Sequence, residues 1–207
     1  GALLYFLIIS QLQDLLWFTF HYLGFEPTDP SDAFDATLSN MAVDMLYSHD
    51  LLPQLFWLAI VFLLGKLLFK STKIGLVSVA LVSIHFILDF FSGHMHHVFG
   101  ADTMEAGLGL YASKPYLAIF IEAIFSMGAL WYFFKEEAKK GIIRTTKNRI
   151  AIFSVFAYGI VFMLLIATKS FRELFGIPEF DLGFNTIMPT LILTYVVMLY
   201  CLNVFVP

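Results

Sequence analysis

The sequence contains little cysteine and little charge. Its one cysteine, Cys201, excludes an internal disulfide framework and a zinc site built from thiolates. Charged residues make up 14% of the 207 residues, whereas they make up roughly a quarter of a soluble domain. Hydrophobic residues make up 59%, and the mean hydropathy is +0.82. One small soluble core cannot bury that much apolar surface, so the composition predicts an all-α, polytopic integral membrane protein.

The sequence also lacks solenoid repeats, low-complexity tracts and loops long enough to form a second soluble domain. We therefore predict a single transmembrane domain over residues 1–207. A spanning helix needs about 20 mostly apolar residues. The first segment is apolar from its start, without a basic flank or an initiator Met, so we expect the natural chain to begin upstream of Gly1. The six predicted spans are 3–24, 51–69, 74–92, 115–134, 150–168 and 186–206.

Basic residues are scarce on one side of this topology. Loops rich in Lys and Arg stay in the cytoplasm, and the other side carries only Lys114, Lys169 and Arg172. The acidic loops lie on that outer side, and both ends of the chain are predicted to be cytoplasmic. The nine cytoplasmic basic residues are Lys66, Lys70, Lys73, Lys135, Lys139, Lys140, Arg144, Lys147 and Arg149.

All six histidines occur in the first half of the chain, and the topology places each of them at or near the outer side. Three acids, Asp14, Asp89 and Glu122, fall within predicted spans, where a charge is costly unless it is paired, bound to metal or hydrated. Residues 85 and 89 lie four apart, on one helix face. A set of imidazoles and carboxylates without thiolate suits Zn²⁺ or another borderline divalent metal, such as Mn²⁺ or Fe²⁺. The six histidines are His21, His49, His85, His94, His96 and His97.

Each of these groups also has a simpler interpretation. A single histidine in this set could be an interfacial polar residue, and Asp14 or Glu122 could make a helix–helix hydrogen bond. The pair His85 and Asp89 is harder to explain in this way, because two polar groups are buried one turn apart.

Several short segments occur in an order that resembles a family of bacterial membrane-bound metal-dependent hydrolases, related to the LexA-regulated inner-membrane hydrolases. The resemblance covers residues 1 to about 135, and the last two spans match only in hydropathy. It departs from the family at Asp50, where the family prefers Ser, and in the His-rich stretch 94–97. The family usually begins with a further segment that bears a His. The similar segments are 11–17 (QLQDLLW), Gly24 with Glu26, 47–52 (YSHDLL), 85–89 (HFILD) and 107–111 (GLGLY) with Pro115, followed by Glu122.

The resemblance implies a hydrolase site that contains Asp14, His49, His85, Asp89 and Glu122. We predict that His49, His85 and Asp89 hold the metal, and that Asp14 or Glu122 is a further ligand or the general base. The remaining histidines, His21, His94, His96 and His97, are predicted as additional metal ligands. The predicted substrate is a phospholipid-like or other amphiphilic ester at the outer face of a bacterial inner membrane. The predicted partners are membrane lipid and a homo-oligomer or membrane complex, with no nucleic acid.

Other functions remain open from the sequence alone. The main alternative is a non-catalytic membrane subunit of a larger complex, whose polar cluster or metal is structural. A di-iron oxygenase would fit the H-x-H-H stretch, but such enzymes carry more histidines on the cytoplasmic side. A b-type haem protein would need His21 and His85 to face each other. An ion transporter would also use buried acids, yet the sequence shows no inverted repeat and predicts no broken helix.

Overall fold

The computed structural model describes residues 2–180 and 182–206, which are largely helical, so the predicted fold class is confirmed. The four strands are short and form two antiparallel hairpins: β1 (Thr28–Asp29) with β2 (Ala42–Val43), and β3 (His96–His97) with β4 (Glu105–Ala106). The helices are α1 (Ala2–Ile9), α2 (Leu12–Tyr22), α3 (Leu51–Phe69), α4 (Thr72–Ser92), α5 (Leu110–Ser113), α6 (Pro115–Lys139), α7 (Thr146–Leu165), α8 (Phe171–Phe175) and α9 (Ile187–Phe205).

In the part of the chain that the structure describes, five helices are long and apolar enough to cross a membrane: α3, α4, α6, α7 and α9. Most of their large apolar side chains are not covered by the rest of the protein, and Leu67 is 70% exposed. A water-soluble protein of this size would bury such helices inside its core, whereas helices that are apolar all round suit a lipid environment. The helices therefore support an integral membrane protein.

The first predicted span is not one straight helix, which corrects the expectation of an unbroken helix over 3–24. Helices α1 and α2 meet at an angle of 63°, so they form either a broken span, which would be the sixth, or a re-entrant loop. The break falls at Ser10 and Gln11, where the Ser10 hydroxyl donates to the Leu7 carbonyl (2.9 Å) and Gln11 Nε2 donates to Ser10 Oγ (3.3 Å). Such local side-chain bonds compete with the helical ladder. The expectation that no helix is broken, one of the two reasons given against a transporter, therefore no longer holds for this segment.

Helices α3 and α4 form a tight antiparallel pair. The turn between them uses a left-handed residue, Lys70 (φ 51°), and Ser71, whose hydroxyl caps α4 by accepting from Ile74 N. The backbones approach so closely that a Cβ on Gly65 would lie 2.8 Å from Gly75 Cα. Glycines permit this approach because they have no side chain at the crossing. The pairing places the start of α3 beside the end of α4.

Both β-hairpins lie at this same end of the helices, which we call the hairpin end. The two hairpin loops are joined because Asp50 Oδ1 accepts from His97 N (2.9 Å) and Asp50 Oδ2 from Gly100 N (2.6 Å). Arg172 on α8 ties the first loop down through ion pairs with Asp32 (2.6 Å) and Asp35 (2.5 Å). The loops therefore form a bonded layer over the helix ends.

The opposite end, which we call the basic end, holds the α3–α4 turn and the α6–α7 connection. Arg144 closes it: its guanidinium makes two bonds of 2.6 Å to the carboxylate of Glu137. It also donates to the carbonyls of Phe205 (2.8 Å) and Val206 (2.9 Å), which fixes the end of α9. The basic residues of the predicted cytoplasmic side are gathered at this end.

Candidate metal centre

Four side chains from three parts of the chain meet near the hairpin end. Asp14 lies in the first turn of α2, directly after the helix break, and His49 lies two residues before α3. His85 and Asp89 lie one turn apart on α4. The α3–α4 pairing brings His49 beside His85, and the bend between α1 and α2 turns Asp14 toward both. The structure therefore brings together residues that are up to 75 positions apart.

The two imidazoles point their Nε2 atoms at the two carboxylates. His49 Nε2 lies 3.6 Å from Asp14 Oδ1 and 3.7 Å from Asp89 Oδ2. His85 Nε2 lies 3.4 Å from Asp14 Oδ2 and 3.2 Å from Asp89 Oδ2. His49 is almost fully buried (3% exposed), and the other three side chains are largely buried. Four polar groups thus converge on one small volume away from solvent.

The other nitrogen of each imidazole is already occupied. His85 Nδ1 lies 2.8 Å from the main-chain oxygen of Ser10, at the helix break. Because a carbonyl can only accept, His85 Nδ1 must carry the proton, and a neutral His85 presents a lone pair at Nε2. His49 Nδ1 bonds to the hydroxyl of Ser48 at 2.8 Å. A second bond of this kind fixes the ring orientation and tautomer of metal-binding histidines.

This arrangement calls for a cation. A lone pair on His85 Nε2 facing two carboxylates is repulsive unless a proton or a metal lies between them. Asp89 Oδ2 is buried and makes no hydrogen bond of normal geometry within the described residues. Ligands at about 2.0–2.1 Å from a tetrahedral Zn²⁺ are separated by roughly 3.3–3.5 Å, and the imidazole–carboxylate distances here, 3.2–3.7 Å, lie around that value. The ligand atoms of Asp14, His49 and His85 all lie within 4.8 Å of one another, so this group could hold a metal ion.

A buried polar network holds the His49 loop in place. Glu26, which is fully buried, accepts from the backbone N–H groups of Tyr47 (2.6 Å) and Ser48 (2.8 Å) through one carboxylate oxygen. Burial raises the pKa of Glu26, while these two bonds lower it. From the helix side, Gln54 donates to the Ser48 carbonyl (2.5 Å), and Gln13 donates to Gln54 (3.0 Å). Sequence reasoning missed the two glutamines, although two amides in apolar helices were a usable signal.

Tyr195 on α9 supports the site from the far end of the chain. Its hydroxyl donates to Asp14 Oδ2 at 2.6 Å. Charge-assisted bonds of this length hold a carboxylate in one orientation. Sequence reasoning missed Tyr195, because the family resemblance ends before the last two helices and one tyrosine in an apolar span is not distinctive.

Glu122 is held next to the site by its own partner. Tyr111 donates to Glu122 Oε1 at 2.5 Å. Burial, together with the charge of Glu122, keeps the pKa of Tyr111 well above its usual value, so the phenol remains a donor. Glu122 does not belong to the metal-binding group found among the described residues. Its position leaves the predicted role of a general base open.

Two further histidines lie beside the centre: His96 is buried and His94 is half-buried. His96 is 2% exposed, and its ring stacks on that of His49 at 5.6 Å between centroids and 8° between planes. Burial lowers the pKa of His96 to about 3 and that of His94 to about 4, so both are neutral. Neither ring nitrogen of His96, nor Nε2 of His94, has a hydrogen-bond partner within the described chain.

The last two histidines lie elsewhere at the hairpin end. His21 Nδ1 is 3.2 Å from the main-chain oxygen of Glu26, and His97 belongs to β3 and donates its backbone N–H to Asp50. His21, His94, His96 and His97 are not in the metal-binding group defined by the described residues, and their roles as ligands stay predictions.

The site thus unites Asp14, His49, His85 and Asp89, with Glu122, His94 and His96 around it. Comparisons of the chain with protein-family models, curated proteins and solved structures find no match. The resemblance to membrane-bound hydrolases therefore stays a prediction from the sequence. What the structure supports is an integral membrane protein in which a group of one carboxylate and two imidazoles could hold a metal ion.

Proposed function

We propose that this chain is a membrane-embedded, metal-dependent hydrolase that cleaves an amphiphilic ester at the outer face of a bacterial inner membrane. One observation carries the proposal: two imidazole Nε2 atoms and two carboxylates face each other at 3.2–3.7 Å, and one imidazole Nδ1 already donates to a carbonyl. Two imidazole nitrogens and two carboxylates form a donor set that suits a divalent cation.

Asp14, His49, His85 and Asp89 would hold the metal, for which Zn²⁺ is the first candidate because the donors are nitrogen and oxygen. A bound divalent ion supplies a water that is nucleophilic near neutral pH and polarises the ester oxygen. Each of three ligands is held in one orientation by a second hydrogen bond: His49 to Ser48, His85 to the Ser10 carbonyl, and Asp14 to Tyr195. Such outer partners typically change metal affinity about 10–100-fold when removed.

Glu122 is the candidate general base. Asp14 is engaged with both imidazoles and with Tyr195, so it has little freedom to carry protons. Glu122 lies close enough to Asp89 for their charges to interact, and Tyr111 holds one of its oxygens. It would accept a proton from the attacking water and return it to the leaving alcohol.

The depth of the site favours an amphiphilic substrate. Asp14 follows a helix break, His49 precedes α3, and Asp89 lies near the end of α4. The donors therefore lie where spanning helices meet their loops, which corresponds to the boundary between acyl chains and headgroups. The distribution of Lys and Arg favours the outer side for this boundary.

Metal content tests the proposal directly. The full-length protein would be purified in detergent without added metal and analysed by elemental mass spectrometry. We expect about one equivalent of Zn, Mn or Fe in the wild type and almost none in His85→Ala. His85→Gln is the second variant, since its amide can still donate to the Ser10 carbonyl and preserve the fold.

The matched control is Asp102→Asn, which changes an exposed carboxylate at the same end of the protein. It should retain the metal. Wild-type protein without stoichiometric metal would contradict the proposal and favour the non-catalytic subunit.

The broken first span favours a second candidate, translocation of protons or cations. Half-helix ends and buried acids form ion sites in transporters. Proteoliposomes with an interior pH or sodium indicator would separate the two functions: ion flux that persists in metal-free protein would favour transport, whereas metal-dependent ester cleavage without flux would favour the hydrolase.

A further inference from the structure

The two imidazoles beside the metal-binding group have unused hydrogen-bonding capacity. His96 is packed between the rings of His49 (5.6 Å) and Phe86 (6.1 Å), and both of its nitrogens are buried without a partner. His94 Nε2 is buried without a partner as well, and its ring packs against Tyr111. A buried polar atom that lacks a partner costs about 1–3 kcal/mol. Such atoms next to a candidate reaction centre indicate that a ligand completes them.

Positive charge is missing around the same site. Within residues 2–180 and 182–206, no Lys or Arg forms an ion pair with Asp14, Asp89 or Glu122. The three basic residues of the hairpin end are engaged elsewhere or lie on the surface. Arg172 is bound to two aspartates of the first loop, and Lys114 and Lys169 are exposed.

The charge balance of the site favours an uncharged reacting group, such as a carbonyl, over an anionic phosphate. The charges of Asp14 and Asp89 alone balance a divalent ion, so they leave no surplus positive charge for an anionic substrate. Sites that transfer phosphoryl groups surround the phosphate oxygens with Arg, Lys or several metal ions. A phosphate would therefore meet carboxylates without a compensating cation. An uncharged carbonyl avoids this repulsion and needs only N–H donors.

The histidines supply donors of that kind. Neither His94 nor His96 forms an ion pair with a carboxylate in the described structure. An imidazole carries at least one N–H in every protonation state found in proteins, so each ring can donate to a substrate oxygen. Preorganised neutral donors in a dry site stabilise the negative charge that develops on a carbonyl oxygen during acyl transfer.

We propose that the reacting group of the substrate is the carbonyl of a carboxylic ester, and that His94 and His96 form the subsite that binds its oxygen. This inference rests on the proposed hydrolase activity and narrows its substrate from esters in general to acyl esters. Water attacks the carbonyl carbon and loses a proton to Glu122. The bond from this carbon to the alkoxy oxygen then breaks, and the proton passes to the leaving alcohol, so the products are a carboxylic acid and an alcohol.

Two substrates with the same leaving group test the preference. The metal-loaded full-length protein would be assayed with 4-nitrophenyl butyrate and with bis(4-nitrophenyl) phosphate. We expect the acyl ester to have a kcat/KM at least about 100-fold higher. A preference for the phosphodiester would overturn the inference while the hydrolase stands, and cleavage of neither substrate by metal-loaded protein would overturn both.

Variants of His96 test the subsite. His96→Phe keeps a ring to stack on His49 but removes both nitrogens. We expect it to retain the metal and to lose about 10²–10³-fold in kcat, as is typical when one oxyanion donor is removed. His96→Asn restores an N–H and should recover part of this loss. Glu105→Gln, an exposed change on the partner strand β4, is the control for the hairpin.

A binding measurement on the cobalt-substituted protein gives a readout that does not depend on turnover. Acetohydroxamate, which presents a carbonyl oxygen, should shift the visible cobalt spectrum at lower concentration than inorganic phosphate. His96→Phe should weaken this response at least about tenfold. If His96→Phe keeps both kcat and acetohydroxamate binding, the subsite assignment is wrong.

Discussion

The two ends of the molecule both bury charged groups, but only one end satisfies them. At the basic end, the Arg144 side chain is 7% exposed, and its guanidinium makes four hydrogen bonds, two to the Glu137 carboxylate and two to carbonyls at the end of α9. At the hairpin end, Asp89 Oδ2 and both nitrogens of His96 are buried without hydrogen-bond partners among the described residues. The basic end also has one buried polar atom without a partner in the described chain, Asn148 Oδ1, so the contrast concerns the ionisable side chains.

The two ends differ in whether their buried ionisable side chains have hydrogen-bond partners. A buried group with all its partners stabilises one structure, whereas a buried group that lacks partners costs stability and is tolerated where a ligand supplies them. At the basic end, the bonds of Arg144 to Glu137 and to the end of α9, which we call the clasp, therefore stabilise the fold. The hairpin end has the character of a binding site, because the imidazoles and carboxylates face one another across a space that suits a cation.

Metal removal should have the largest effect on stability, and it should act at the hairpin end alone. A ligand that binds only the folded state stabilises it by about 4 kcal/mol when present at 1,000 times its Kd. We expect a chelator to lower the Tm of the wild-type protein in detergent by several degrees and to leave His85→Gln unchanged. Thermal unfolding followed by circular dichroism measures this shift. A wild-type Tm that is insensitive to chelation would remove the difference between the two ends.

Loss of the clasp should have the next largest effect. Arg144→Met leaves the Glu137 carboxylate and the carbonyls of Phe205 and Val206 without a donor. Because removal of one partner strands a buried charge, we expect a loss of about 3 kcal/mol in unfolding free energy, with metal content unchanged.

The double variant Arg144→Met with Glu137→Leu should recover part of this loss, since it removes the stranded carboxylate. The shift on chelation should be the same in Arg144→Met as in the wild type, because distant sites contribute additively. A changed metal content in Arg144→Met would show that the two ends are coupled.

The sequence predicted the helices better than their breaks. Helix α3 (Leu51–Phe69) has the predicted bounds because an apolar run is enclosed by Asp50 and Lys70. The other long helices begin and end within a few residues of their predicted bounds, since hydropathy reports burial in lipid. The break at Ser10 was not predictable in this way, because it depends on local side-chain bonds that hydropathy does not register.

For the site, too, the sequence predicted some features and could not predict others. The spacing of His85 and Asp89 placed them on one helix face from the sequence alone, and the topology placed His49 at the outer side. The contact between Tyr195 and Asp14 joins residues 181 positions apart, and no periodicity encodes such a pair. The distinction between His49, which faces the carboxylates, and His21, which bonds a loop carbonyl, also depends on tertiary packing.

Glu26 has one carboxylate oxygen with hydrogen-bond partners and one without, and its substitution has the smallest expected effect on stability. One of its oxygens accepts from Tyr47 N and Ser48 N, whereas the other is buried without a partner in the described structure. Burial raises the pKa of Glu26 above 4.5. A carboxyl whose folded pKa is raised contributes stability that is complete below its unfolded pKa and lost as the pH rises through its folded pKa.

Glu26→Gln removes this titration and keeps an oxygen that can accept from both N–H groups. We therefore expect the Tm of Glu26→Gln, relative to wild type, to rise as the pH increases above 4.5. The difference should level off at no more than about 1 kcal/mol, because the two backbone bonds favour the ionised form and oppose burial. Both proteins would be compared in chelator, so that the pH dependence of the imidazole–carboxylate group cancels. Glu26→Ala leaves both N–H groups without an acceptor, so it should be less stable than wild type at every pH. A stability difference between Glu26→Gln and wild type that does not depend on pH would contradict the prediction. It would mean that Glu26 is ionised in the folded protein and that its hydrogen bonds satisfy it, as those of Arg144 and Glu137 do.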